Sequence, residues 1–136
     1  MPRKEHVTKE LADNPWEDLV ISILSVNRYS IERTYRSIDG LRKEGLFDPR
    51  RLMNWDESEI GERLRSAGYD RGPFMTSLFA LRLSNLGALI ESKDVDICTN
   101  VISGRDTRAI EELLLPVNGI GPSVIANFYM LREIGR

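Results

Sequence analysis

Apolar residues recur along the chain at spacings of three and four, and no segment keeps the strict alternation of a strand. Trp16, Leu19, Val20, Ile23 and Leu24 follow a clear helix start, with Asn14 as cap, Pro15 at the first position and Glu17 three residues beyond the cap. Ile21 and Val26 widen the apolar face, which places this helix in the middle of a core. After a polar break over residues 25–29, Ser30 is the expected cap of a helix carrying Ile31, Tyr35, Ile38 and Leu41, closed by Gly45. Asp48 and Pro49 open a short helix with Leu52 and Met53. Asp56, with Glu59 three residues on, caps another that carries Ile60, Leu64 and Ala67 and stops at Gly68. A glycine-rich junction over 68–73 leads into a long helix with Phe74, Leu78 and Leu81, reaching about Ile90. Val95, Ile97, Val101 and Ile102 indicate a short helix opening at Asp94, and Asp106 or Thr107 caps the next. The pattern predicts an all-α fold, a single compact domain of about seven helices over residues 14–136, behind a charged arm or short helix over 1–13.

The most distinctive local signal lies between the last two helices. The apolar run from Ile110 to Leu115 meets Pro116, which lacks a donor and clashes with the preceding turn. Gly119 and Gly121 then permit backbone angles closed to other residues, and Pro122 fits the first turn of a helix that carries Ile125, Phe128, Tyr129 and Leu131. Helix, short glycine hairpin and helix leave several N–H groups unpaired at the second helix's start, which attracts phosphate oxygens without any basic side chain. A plain tight turn between packed helices satisfies the same residues.

Composition narrows the chemistry. At 41% apolar and 29% charged, the chain has the make-up of an ordinary soluble globular protein. A formal net charge of −2 gives no global basic field, so a nucleic-acid role must rest on a local patch or on backbone donors. The single cysteine, Cys98, excludes an internal disulfide and a cysteine-only metal or iron–sulfur site, and the single histidine, His6, lies in the arm. No cofactor and no side-chain metal site are expected. The charged first residues lead us to expect no secretory signal, and no unbroken apolar run approaches the roughly 20 residues that span a bilayer. The expectation is no membrane, and an intracellular setting, cytoplasmic or nucleoid-associated.

Three motifs together resemble the helix-hairpin-helix superfamily of endonuclease III-like DNA glycosylases. Residues 14–20 with 23–27 resemble that family's first barrel helix. Gly68-Tyr69-Asp70-Arg71 resembles its glycine-led loop, and residues 117–126 resemble its hairpin, in the same order and at similar distances. The resemblance covers roughly 14–134. It implies a helical fold in which Val117, Asn118, Gly119, Ile120, Gly121 and Ser123 contact a DNA strand, Gly119 and Gly121 offering N–H groups to a phosphate. The carbonyls of Val117 and Ile120 would hold a monovalent cation, as in some relatives. Asn27 stands where a polar side chain fills the gap left by a flipped base, and Tyr69 near an intercalating wedge; inserted groups of this kind offset part of the cost of extrusion. Arg71 and Arg132 are candidate phosphate contacts. Each has an ordinary alternative: a C-terminal cap for Asn27, a partly buried aromatic for Tyr69, a solvated loop charge for Arg71. Arg132, like Arg105, Arg108 and Arg136, is equally placed to pair with Glu111, Glu112 or Glu133.

The chemistry of the family is not matched. Its bifunctional members carry a lysine nucleophile where this chain has Ser123, and a hydroxyl cannot form a Schiff base. The family's aspartate belongs beyond Arg136, as do its C-terminal helices and the cysteines of its frequent iron–sulfur cluster. Asp106, Glu111, Glu112 and Glu133 lie nearest in sequence, without a spacing that sets them apart from surface carboxylates. No residue is therefore assigned as catalytic. The resulting expectation is a DNA-binding protein of the base-excision-repair glycosylase type that lacks intact glycosylase or lyase chemistry. The alternatives are an active glycosylase using another acid or a missing C-terminal half, and a helical protein-interaction domain. The family's second half being absent, apolar surface should remain on the long helix and the last helix, covered by a second copy, a protein partner or the N-terminal arm.

Overall fold

A computed structural model describes residues 14–25 and 28–134. Among them are nine α-helices and no strand: α1 (Pro15–Leu24), α2 (Arg28–Tyr35), α3 (Ile38–Lys43), α4 (Pro49–Leu52), α5 (Glu57–Ser66), α6 (Pro73–Lys93), α7 (Val95–Ser103), α8 (Thr107–Leu114) and α9 (Pro122–Arg132). The excess over the expected seven comes in part from one segment that divides. The helix expected from Ser30 to Gly45 is two, broken at Arg36 and Ser37, and Ser30 lies inside α2 rather than at its cap.

Starts and stops otherwise follow side-chain chemistry. Asn14 accepts the Trp16 N–H at 3.0 Å, Asp56 the Glu59 N–H at 2.8 Å, and Asp106 the Ala109 N–H at 3.2 Å. Glu17 does not reach back to close a capping box. Its carboxylate takes two hydrogen bonds from Arg42, at 2.8 and 3.1 Å, because α1 is buried around its whole circumference and an acid there needs a partner. Asp18 on the same helix faces Arg132 of α9 at 3.3 Å, and the Trp16 indole donates to Thr99 of α7 at 2.9 Å.

The core is built on α1 and α6. Helix α1 touches α2, α6, α7 and α9, while α6 touches α1, α4, α5 and α7. Gly40 in α3 allows a close crossing, since a Cβ there would lie 2.1 Å from the Ala67 carbonyl oxygen at the end of α5. At 21 residues, α6 is long and apolar enough by length and composition to cross a membrane, contrary to the expectation that no such run exists. Polar residues such as Ser77, Arg82, Ser84 and Asn85 interrupt the run and hide it from a search for unbroken apolar sequence. In the fold, one side of α6 packs through Phe79, Leu83, Leu86 and Ile90, and the other bears exposed Phe74 and Leu81. The expected apolar exposure is thus found on α6, whereas Tyr129, Met130 and Leu131 at the end of α9 are half-buried against the core.

Candidate nucleic-acid interface

The segment between α8 and α9 folds as a hairpin with its side chains inward and its backbone outward. Val117 donates to the Leu114 carbonyl and Ile120 to the Val117 carbonyl, both at 3.0 Å. The side chains of Val117 and Ile120 are buried, and Val124, Ile125 and Phe128 continue the apolar seam along α9. Gly119 has φ +108°, in the region that favours glycine, and a Cβ there would lie 2.5 Å from Cγ of Arg82. Gly121 caps α9 with φ −108° and ψ −172°, extended backbone open to any residue, and a Cβ there would meet nothing within 4 Å.

The open donors give this turn its chemistry. The N–H groups of Gly119, Gly121, Ser123 and Val124 make no hydrogen bond among the described residues, and no side chain caps α9. Pro122 has no donor to lose. Four unpaired donors thus lie along one short stretch at the positive end of a helix dipole, beside open space at Gly121. An oxyanion is the ligand such a stretch suits. Of the two carbonyls expected to hold a monovalent cation, that of Val117 already accepts the Ile120 N–H, which leaves it one lone pair for an ion.

Two residues far away in sequence hold the hairpin, and the sequence reading missed both. Asn85 of α6 donates to the Asn118 carbonyl at 2.9 Å. The stem of Arg82 lies under Gly119, and its guanidinium sits 5.4 Å from the centre of the Phe79 ring. Nothing in the hairpin's own sequence points to a contact 33 residues upstream; only the helical spacing of three between Arg82 and Asn85 hints that they share a face.

The other expected residues fall in different places. Asn27 lies outside the described residues. Tyr69 is buried at 3% exposure; its hydroxyl donates to the Leu24 carbonyl at the end of α1 and its ring meets Phe79 edge-on at 5.9 Å. Placed so, the ring packs the core and does not project as a wedge. Burial pushes its hydroxyl pKa up, against the opposing charges of Arg71, Arg33 and Arg82. Arg71 lies 5.9 Å above that ring, with one guanidinium nitrogen, Nη1, buried and without a hydrogen-bond partner. Arg132 does not point to the hairpin: its side chain is 14% exposed and engages Asp18.

Of the four acidic residues nearest the hairpin in sequence, three have their carboxylates engaged. Asp106 caps α8, and Glu112 pairs with Arg108 at 3.8 Å. Glu111 accepts the Tyr129 hydroxyl at 2.6 Å, and burial together with that bond raises the tyrosine pKa. Glu133 ends α9 in the left-handed conformation, its carbonyl accepting from Arg105. Ser123 stands exposed in the first turn of α9. Among the described residues no His, Cys, Asp and Glu group is arranged to hold a metal ion. A cleft of about 580 Å³ bounded by Glu17, Arg42, Phe47 and Arg51 shares no residue with the hairpin.

No protein-family model and no solved structure matches the chain. A search of curated proteins finds one from Methanocaldococcus jannaschii named "Putative DNA repair glycosylase", 29% identical over 110 residues that cover 81% of this chain and 47% of the relative. The chain therefore spans about half the length of the curated protein it matches.

Proposed function

We propose that this chain is a DNA-binding protein of the glycosylase type, and that its hairpin grips a backbone phosphate through the N–H groups of Gly119, Gly121, Ser123 and Val124. The observation that carries the reading is this run of unpaired donors beside the open face of Gly121. The distant likeness to a protein named for DNA repair supports DNA as the ligand. Binding of this kind reads the backbone and not the base sequence. On this reading the residues 14–134 supply no base-excision chemistry: Ser123 replaces an amine, and Asp106, Glu111 and Glu112 are engaged in a cap, a hydrogen bond and an ion pair. Any catalytic group would then come from a segment or chain beyond these residues.

Gly121→Ala is the incisive variant. Its backbone angles suit alanine and its methyl meets no protein atom, so stability should hold within about 0.5 kcal/mol. The methyl would occupy the phosphate's approach, and affinity for a duplex, read by fluorescence anisotropy at two salt concentrations, should fall at least about tenfold. A stable Gly121→Ala protein that binds DNA as tightly as the wild type would overturn the reading.

A further inference from the structure

Phe74 is 78% exposed, an unusual position for a side chain that stabilises by burial. It shares a face of α6 with Leu78, Leu81, Arg82 and Asn85, all within an arc of about 100°. The far end of that face is where Asn85 and Arg82 meet the hairpin at Asn118 and Gly119. Phe74 therefore extends the hairpin's own surface. It lies about 12 Å from Arg82 along the helix axis, roughly three to four steps of a DNA strand.

Arg82 on this face and two further arginines that act on Tyr69 are unspent. Arg33, Arg71 and Arg82 form no ion pair among the described residues, while Arg42, Arg51, Arg63 and Arg132 each face a carboxylate. All three act on the Tyr69 hydroxyl. Two sit over aromatic rings, Arg71 on Tyr69 and Arg82 on Phe79, which limits the freedom they would lose on binding a phosphate. The nearest acid in sequence, Asp70, is turned to the Gly72 N–H and the Thr76 hydroxyl.

We infer that the outer face of α6 docks an unpaired nucleobase, stacked on Phe74, while Arg82 holds a phosphate between that base and the hairpin. An exposed aromatic on a helix face shared with a cation suits the stacking of single-strand binding, and any base offers it a π-face. A base within an intact duplex does not. The site therefore discriminates in favour of single-stranded or locally opened DNA. A second copy of this chain is the poorer occupant, because a two-fold contact through this face would bring its arginines against their own copies. The inference rests on the hairpin reading and adds to it what the strand must look like.

The test uses the full chain and three labelled DNAs: a short single strand, a matched duplex, and that duplex with one bulged base. Phe74→Ala should lose about ten- to hundredfold in affinity for the single strand and the bulge, little for the matched duplex, with the salt dependence unchanged. Phe74→Trp should keep the affinity and show tryptophan quenching on binding that the wild type does not. Gly121→Ala should weaken all three DNAs alike. Phe74→Ala binding every DNA like the wild type, with Gly121→Ala defective, would overturn the stacking site and leave the hairpin reading standing. Intact binding by both variants would overturn both. A wild-type dimer in sedimentation that Phe74→Ala dissociates, with DNA affinity unchanged, would identify the face as a self-interface and end the proposal.

Discussion

Two glycine-led junctions in this chain each deliver a proline to the first turn of a helix, and they differ in what becomes of their donors. In the first, which precedes α6, Gly68 and Tyr69 donate back to Arg65 and Leu64, Arg71 to the Thr76 hydroxyl, and Gly72 to the Asp70 carboxylate. Asp70 thus supplies that helix start with its own anion. In both junctions the two N–H groups that follow the proline stay open, those of Phe74 and Met75 in the first and of Ser123 and Val124 in the second, which precedes α9. In the second no acid takes the place of Asp70, and Gly119 and Gly121 keep open N–H groups as well. The tethering reverses as well. The first junction buries its aromatic, Tyr69, while the second buries aliphatic side chains and leaves its backbone outward. Similar punctuation in sequence therefore leaves one helix start with a resident carboxylate and the other without one. The difference lies in the glycine donor before each proline, since Gly72 meets the Asp70 carboxylate and Gly121 meets no acceptor among the described residues.

Variants at Tyr69 test the structural half of this contrast most strongly. Tyr69→Ala removes a buried ring, its edge-on contact with Phe79 and the donor to Leu24, and should cost about 3–5 kcal/mol in urea unfolding. Tyr69→Phe keeps the ring but leaves the Leu24 carbonyl short of its donor, a loss of about 1–3 kcal/mol. Its DNA binding should match the wild type. A selective loss of DNA binding with unchanged stability would return Tyr69 to the wedge role and break the contrast.

Gly119→Ala probes the second junction from its strained side. The residue has φ +108°, and the added methyl must also displace the stem of Arg82. A cost of about 1–3 kcal/mol is expected, with DNA binding weakened because both the turn and Arg82 shift. Paired with the neutral stability expected of Gly121→Ala, this separates the glycine the fold requires from the glycine the ligand requires. Equal destabilisation by both variants would show that the two serve the turn alike.

Much of the fold was legible because it is local. The caps at Asn14, Asp48, Asp56, Asp94 and Asp106 each act within three residues, and the helix pattern depends on spacing alone. The break between α2 and α3 was not legible, since Ile31, Tyr35, Ile38 and Leu41 keep their spacing across it. At the site, the turn residues were evident, but their support was not. Arg82 and Asn85 reach the hairpin through tertiary packing, and Arg132 is drawn into an ion pair with Asp18, 114 residues away. Tyr69 shows the same limit: a glycine stop followed by an aromatic suits a wedge or a core residue equally, and its bond to the Leu24 carbonyl is a tertiary contact.

Asp70→Asn carries the smallest expected effect and bears most directly on the comparison. The carboxylate accepts from the Gly72 N–H at 3.0 Å and lies 3.4 Å from the Thr76 hydroxyl, at the positive end of α6. Asparagine keeps an oxygen for both contacts and removes only the charge, so stability should fall by about 0.3–1 kcal/mol. The start of α6 would then resemble that of α9, without a resident anion and with Arg71 close by. DNA affinity should rise about two- to fivefold, with a steeper salt dependence if a phosphate enters where the carboxylate was. The gain should persist in Gly121→Ala, because it would arise at the other junction. An Asp70→Asn protein that loses stability and gains no affinity would show that the carboxylate serves the turn alone, and that an open helix start is not enough to recruit DNA at this surface.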